Sequence, residues 1–177
     1  TSNPVLAKRL RFLKSQGMDP KRRFFHPEPA FNFRLTNTNA AFLSAQINRK
    51  NEILLRREEI FNLYDELLVD VPYLKKRPVN ANVTLCPWVY ALVLDSKHSV
   101  TVDTLMGELA SRGIEARPMY YPLNALPMFL EEKYILGEID ISANLSKSVF
   151  YLPTFFDLQD HQIEYICGQI KSLLMIS

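Results

Sequence analysis

The 177-residue sequence has few cysteines and few glycines, no long apolar run and almost no excess charge. Its two cysteines, Cys86 and Cys167, are too few for a disulfide framework and fit no zinc-ligand spacing. We therefore expect buried thiols in a reducing compartment, the cytoplasm. Five glycines against eleven prolines also disfavour a glycine-rich phosphate loop.

The charge balance and the hydropathy argue against two further classes of protein. Twenty-one Lys and Arg against nineteen Asp and Glu leave a net charge of +2, and nucleic-acid-binding proteins usually carry far more. No apolar run approaches the roughly 20 residues that span a bilayer, and Thr1 opens into a polar segment unlike a signal sequence. We expect neither nucleic acid nor a membrane as a partner.

The composition is that of a globular chain. Apolar residues make up 47% and charged residues 23%, which is enough to build a core and too apolar for intrinsic disorder. The length corresponds to one domain, or to one domain plus part of another.

Apolar spacing predicts helices in the first part of the chain. Leucines at steps of four and three predict an amphipathic helix over residues 3–16, with Asn3 as its cap and Gly17 as its stop. Residues 18–33, with three prolines and four aromatics, predict a long ordered loop. A second helical stretch is predicted over about 36–68, as one helix or in two pieces.

In the second part of the chain, segments with the apolar spacing of a strand alternate with segments that have the apolar spacing of a helix. Residues 70–81 predict a linker because they contain two prolines and a basic cluster. Beyond it we predict strands at 88–94, 114–120 and 149–152 and helices at 102–109, 140–147 and 163–173. This alternation predicts a small α/β lobe. Trp88, inside an apolar strand, is expected in the core.

No self-sufficient catalytic set is present in the sequence. It contains no glycine-rich nucleotide motif, no H-E-x-x-H and no G-x-S-x-G. The three histidines, His26, His98 and His161, are too scattered to predict a metal site, and each alone is more often an ordinary surface residue.

Three segments, in order along the chain, carry a family resemblance. Residues 26–37 read H-P-E-P-A-F-N-F-R-L-T-N, residues 113–123 read G-I-E-A-R-P-M-Y-Y-P-L, and Leu152-Pro153 precedes the last helix. The sequence resembles the DegT/DnrJ/EryC1/StrS aminotransferases, whose patterns are close to H-x-x-x-G-x-N-x-R-M-T-N and G-I-E-x-R-P-x-x-x-P. The perosamine-synthase-like branch is the most similar.

The resemblance implies the fold and the activity. It implies an α/β chain that is the C-terminal half of a homodimeric pyridoxal 5'-phosphate enzyme with the aspartate-aminotransferase fold, fold type I. Residues 1–70 would end the large cofactor-binding domain, including the long interdomain helix, and residues 71–177 would form the small α/β domain. The family's Schiff-base Lys precedes the position of Thr1, so the chain alone is expected to be inactive.

Two residues are implied as cofactor ligands. The family Asn that matches Asn32 reaches the cofactor phosphate of the other subunit, and Arg34 lines the same pocket. By spacing alone, Asn32 could instead cap the next helix and Arg34 could form a surface ion pair. Ala30 stands where the family has Gly, and a Cβ disfavours positive φ.

Five further residues are implied on the substrate side: His26, Arg117, Tyr120, Tyr121 and Asn124. Aromatic rings could stack on a base or sugar, and the phenol groups could form hydrogen bonds with its hydroxyls. Packing at a strand edge is the alternative for the Arg and the two Tyr. His26 could equally be structural. Asn124 stands where related enzymes carry His, so a titrating role there is lost.

Three functions remain open. The first is a half of an enzyme that moves an amino group from glutamate to a nucleotide-linked keto sugar. The second is a non-catalytic partner of an intact relative. The third is a sugar dehydratase of the same family, in which His replaces the Schiff-base Lys.

Overall fold

The computed structural model describes residues 1–76, 82–122, 125–126 and 140–175. The chain divides into two compact units, residues 1–50 and residues 51–177. The predicted boundary near residue 70 concerns the domains of a complete enzyme and stays a prediction.

Unit 1 contains two helices joined by the predicted loop. Helix α1 spans Pro4–Lys14 and helix α2 spans Asn37–Asn48. The side chain of Asn3 accepts two backbone N–H groups of the first turn of α1, and the Thr36 hydroxyl caps α2 by accepting the backbone N–H of Asn39. Neither helix has a buried residue, so the apolar faces of unit 1 are open.

Gly17 adopts the left-handed conformation that lets the chain leave α1. Its φ is +64°, and the loop then returns until Ser15 and Asn32 form an isolated antiparallel bridge. A Cβ at Gly17 would lie 2.9 Å from the carbonyl oxygen of Glu28. The predicted glycine stop is confirmed, and the loop packs too closely to admit a side chain.

We expect Gly17→Ala to destabilise unit 1 by about 1–3 kcal/mol because it combines positive φ with a backbone clash. Gly107 is the matched control, since it lies inside a helix where an added Cβ would meet no neighbouring group within 4 Å. Gly107→Ala should stabilise the protein by about 0.5–1 kcal/mol. Urea unfolding of both variants measures the difference, and equal effects would contradict the assignment.

Unit 2 is built on helix α3, which spans Lys50–Leu67, and a four-stranded sheet. The remaining elements in chain order are β1 Leu74–Lys76, β2 Tyr90–Leu94, α4 Val102–Ser111, β3 Arg117–Pro118, α5 Asp140–Ser148, β4 Val149–Leu152 and α6 Asp160–Leu174. The strand order is β1-β2-β4-β3 and every pairing is antiparallel.

The core lies between one face of this sheet and three helices. Alternate residues of β2 are buried, as expected for a strand with one covered face. Helices α3, α4 and α6 supply the opposing side chains. The fully buried side chains include Leu92 and Phe150 of the sheet and, from the helices, Ile60, Tyr64, Leu105, Leu109, Ile163 and Ile170. This arrangement places the ends of β2 and β4 beside α3.

Most predicted elements are confirmed, and the stretch 36–68 is helical in two pieces, one of the two expected forms. Three predictions are corrected, on the linker, Trp88 and Cys86.

The predicted linker is partly wrong, because Leu74–Lys76 pairs with β2 as a strand. Trp88 is not in the core: strand β2 starts at Tyr90, and Trp88 is 64% exposed. Cys86 is exposed, whereas Cys167 is buried as expected.

An ion pair joins α6 to the end of the α3 segment. Lys171 Nζ lies 2.8 Å from Asp70 Oδ1 and also donates to Oδ2. The bond from Lys171 lowers the pKa of Asp70. Because the pKa is lower in the folded state, the pair stabilises the protein above the unfolded-state pKa, and this contribution is lost as pH falls through the folded-state pKa.

We therefore expect Asp70→Asn to lose stability near neutral pH and to reduce the fall in stability between neutral and acidic pH. Thermal unfolding across that range measures the slope. Glu164→Gln is the control because Glu164 is exposed on the same helix as Lys171 and forms no ion pair within the described part of the chain. An unchanged slope in Asp70→Asn would show that the pair adds nothing.

Candidate functional site

The two predicted cofactor ligands lie at the end of the loop in unit 1. Asn32 Oδ1 accepts the backbone N–H of Arg34 at 3.2 Å, and both residues are exposed. The helix that follows is capped by Thr36, so Asn32 is not its cap. In the described residues, the Asn32 amide nitrogen has no partner and the Arg34 guanidinium has no ion pair.

These free groups are the donors that a phosphate requires. An amide N–H₂ and a guanidinium donate without competing acceptors, and guanidinium presents paired N–H groups to phosphate oxygens. The local structure therefore fits a phosphate group, the alternative cap role of Asn32 is wrong, and the alternative ion pair of Arg34 is not formed among the described residues.

His26 lies in the same loop. Its Nδ1 is 2.8 Å from the carbonyl oxygen of Gln16, and since a carbonyl only accepts, Nδ1 carries the proton and Nε2 stays available. An ion pair between Arg9 and Glu28 joins the loop to α1. Ala30 is not among the positive-φ residues, so Ala in place of Gly causes no backbone strain.

In unit 2 the structure brings Arg117 and Tyr120 together at a cleft of about 1040 Å³. The cleft lies where β2 begins, β4 ends and α6 begins. Other residues that line it include Arg57, Trp88, His161 and Tyr165. Tyr121 is 76% exposed and does not line it. Asn124 lies outside the described residues.

Arg117 and Tyr120 are held by β3 and its extension along β4. Arg117 pairs with Tyr151 of β4 in the sheet register, and its guanidinium lies 2.9 Å from Glu115 Oε1. The rings of Tyr120 and Tyr151 are 6.0 Å apart. Tyr120 is 64% exposed, so packing at the strand edge does not bury it.

Trp88 is fixed at the cleft through its backbone. Arg57 Nη1 donates to the carbonyl oxygens of Pro87 at 2.9 Å and Trp88 at 2.8 Å. Thr154 Oγ1 donates to the same Trp88 oxygen at 3.0 Å, and the Trp88 N–H donates to the carbonyl oxygen of Cys86 at 2.8 Å. The segment before β2 is thus tied to both α3 and the residues after β4.

A second side chain of α3 binds the residues that follow β4. The Tyr64 hydroxyl donates to the carbonyl oxygen of Pro153 at 3.0 Å, and its ring stacks on Tyr90 at 4.7 Å. Burial raises the pKa of both tyrosines, so their hydroxyls remain protonated donors. Burial also raises the pKa of Cys167 to about 12, so this thiol is not a nucleophile at neutral pH.

Tyr64→Phe should destabilise unit 2 by about 1–3 kcal/mol, because the ring is kept while the Pro153 carbonyl loses its donor. Tyr121→Phe is the matched control, since its hydroxyl has no partner within the described chain and its side chain is exposed. Urea unfolding compares the two. If Tyr64→Phe is as stable as Tyr121→Phe, the bond to Pro153 does not contribute.

The described residues provide neither a metal site nor a membrane-spanning helix. No group of three or more His, Cys, Asp or Glu side chains among them is placed to hold a metal ion. None of their helices combines the length and the apolar character that crossing a bilayer requires.

The family follows from a comparison with known proteins. The sequence model of the DegT/DnrJ/EryC1/StrS aminotransferase family matches residues 1–171. The chain belongs to this family. Relatives include GDP-perosamine synthase of Vibrio cholerae, 33% identical over 97% of this chain and 46% of that protein. GDP-perosamine synthase of Caulobacter vibrioides is 30% identical over 99% of this chain and 47% of that protein.

Solved structures agree on the fold. The aminotransferase TlmJ from Streptoalloteichus hindustanus superposes with a TM-score of 0.84 at 26% identity, covering 98% of this chain and 46% of that one. The α/β architecture expected from the sequence is therefore confirmed as part of the family fold. The chain spans about half the length of these members of the DegT/DnrJ/EryC1/StrS family.

The sequence did not single out Arg57, which lies within the predicted helical stretch 36–68, and it placed Trp88 in a buried strand. The available signal was Pro87, which cannot donate to a sheet ladder and so favours a strand that starts after it. His161 was dismissed as scattered in the sequence, yet the fold places it on the cleft.

Proposed function

We propose that this chain is the C-terminal half of a pyridoxal 5'-phosphate-dependent aminotransferase that moves an amino group from glutamate to a nucleotide-linked keto sugar. The observation that carries the proposal is the family match over nearly the whole chain combined with coverage of only about 46% of its relatives. Relatives named GDP-perosamine synthase support a nucleotide-linked sugar as substrate.

The cofactor would be held by the phosphate-binding donors of unit 1. When bound, pyridoxal phosphate would supply the carbonyl chemistry by which an amino group passes from the donor to the keto carbon of the sugar. Asn32 would donate its amide N–H to the cofactor phosphate of a second subunit, and Arg34 would bind phosphate or the carboxylate of glutamate. The free donors of both side chains support these roles.

The remaining site residues belong to the substrate side of the proposal. Arg117 and Tyr120 would contact the sugar nucleotide, as their shared cleft supports. His26 would stand at the pocket rim with its Nε2 available, and Tyr121 and Asn124 would add contacts from the segment that follows β3.

The proposal includes a homodimer in the cytoplasm. Unit 1 exposes large apolar side chains that a second subunit would cover. They include Val5, Phe31, Phe33, Phe42 and Ile47, each at least half exposed. Apolar surface of this extent is typical of interfaces, and shared ligands such as Asn32 would require the second subunit.

We further propose that the Schiff-base Lys is supplied from upstream of Thr1. No Lys of this chain lies in the sequence context of the family's Schiff-base Lys. The chain alone should therefore not form an imine with pyridoxal phosphate at one specific Lys. Borohydride reduction followed by peptide mapping tests this. We expect no single Lys of residues 1–177 to be modified stoichiometrically, and one that is would contradict the proposal.

The coding region upstream of Thr1 separates the three functions. An in-frame segment with S-x-x-x-x-K and Gly-Gly favours the aminotransferase, and a His in place of that Lys favours the dehydratase. A start codon favours the non-catalytic partner. The complete protein is then assayed with glutamate and a nucleotide-linked keto sugar, and absence of amino transfer would reject the proposed function.

In the complete enzyme we expect Asn32→Ala to weaken cofactor binding by about 1.5–3 kcal/mol, because a hydrogen bond to a charged phosphate is lost. Turnover at saturating cofactor should change less. The dissociation constant of pyridoxal phosphate is measured by titration. Asn48→Ala, the same substitution at the exposed end of α2, is the control and should bind as the wild type does.

Mixed dimers test whether Asn32 acts across the interface. An Asn32→Ala subunit is paired with a subunit that lacks the Schiff-base Lys. The single Lys-bearing site then receives an intact Asn32 from the partner and should retain cofactor normally. If it loses cofactor as readily as the Asn32→Ala homodimer, Asn32 acts within its own subunit.

A further inference from the structure

Trp88 is an exposed aromatic side chain on a fixed backbone. The residue is 64% exposed although a side chain of this size gains much from burial. Three hydrogen bonds hold its main chain: its carbonyl accepts from Arg57 and Thr154, and its N–H donates to the carbonyl of Cys86. These bonds fix the main chain of Trp88 at the cleft, and the ring lines the cleft, where it can serve as a surface for a planar group.

The cleft also carries an excess of positive charge. Arg57 is half-buried, and within the described chain only its Nη1 has a hydrogen-bond partner. Arg117 meets one carboxylate, that of Glu115, through Nε and Nη2. His161 adds an exposed imidazole. Two guanidinium groups against one carboxylate favour an anionic ligand, and phosphate suits their paired donors.

Size and composition agree with a small molecule of this kind. The cleft volume of about 1040 Å³ is at the upper end of the volumes of typical ligand pockets. Such pockets are lined by apolar and aromatic side chains with a few polar groups. Trp88, Tyr120 and Tyr165 supply aromatic surface, each about half exposed or more. A nucleoside diphosphate combines the two features that the cleft recognises, a planar base and a multiply charged anion.

We propose that this cleft binds the nucleoside diphosphate part of the sugar substrate, with the base stacked on Trp88 and the phosphates bound by Arg57 and Arg117. Arg57 thus both positions Trp88, through Nη1, and binds the ligand through its remaining donors. The inference rests on the proposed function and deepens it by giving the nucleoside diphosphate part of the substrate to Trp88 and Arg57, for which the sequence predicted no ligand role, together with Arg117.

The test uses the sole tryptophan of the chain as its probe. GDP is titrated into the 177-residue protein while Trp88 fluorescence is recorded, and stacking should give saturable quenching. Guanosine should quench with weaker affinity because it lacks the phosphates. Pyrophosphate should compete with GDP without quenching, because it lacks the base.

Substitutions then separate the two contacts. Trp88→Leu, measured by calorimetry, should bind GDP about tenfold more weakly, which corresponds to about 1.4 kcal/mol. Arg57→Lys keeps the positive charge but loses the paired donors of the planar guanidinium, and should weaken GDP binding by a similar factor. Arg11→Lys and Phe42→Leu, at exposed positions of unit 1 that do not line the cleft, are the controls and should bind GDP as the wild type does.

Two results would overturn the inference. One is the absence of saturable quenching at millimolar GDP. The other is a Trp88 emission spectrum that shifts with protein concentration but does not change when GDP is added, which would mean that a protein surface covers the ring. The inference and the function fail separately. In an active complete enzyme, an unchanged KM for the sugar nucleotide in Trp88→Leu rejects only the inference. Normal GDP binding without amino transfer rejects only the proposed function.

Discussion

The carbonyl oxygen of Trp88 is the point on which the geometry of the unit 2 cleft depends. It accepts hydrogen bonds from Arg57 on α3 and from Thr154 after β4, so one atom joins three segments that are far apart in the chain. Tyr64, two helical turns beyond Arg57, binds the carbonyl of Pro153. Helix α3 therefore contacts both segments that border the cleft, the one before β2 and the one after β4.

The same helix belongs to the core, which makes the cleft as rigid as the packing beneath it. Ile60 and Tyr64 are fully buried against the sheet, and Phe61 contacts Tyr90 edge to face at 5.2 Å. Arg57 lies one turn before Phe61. A side chain that binds the cleft wall is thus anchored by neighbours that cannot move without opening the core.

Local features were predictable from the sequence, and the cleft was not. Asn3 and Gly17 were identified because caps and left-handed turns depend on residues a few positions away. The exposure of Trp88 depends on Arg57, 31 positions earlier, and on Thr154, 66 positions later. Likewise, β1 is a strand because β2 pairs with it, against a composition typical of a linker. The motif around Asn32 could be recognised by family resemblance, while its chemistry required the structure to show free donors.

The most direct test of this account is fluorine NMR of the protein with fluorotryptophan at its sole Trp position. If α3 fixes the cleft, wild-type Trp88 should give one narrow resonance, and Arg57→Gln should broaden or split it while the fold remains intact by circular dichroism. A resonance that stays narrow and unshifted in Arg57→Gln would show that Arg57 does not hold Trp88 in place, and the account of the cleft would be wrong.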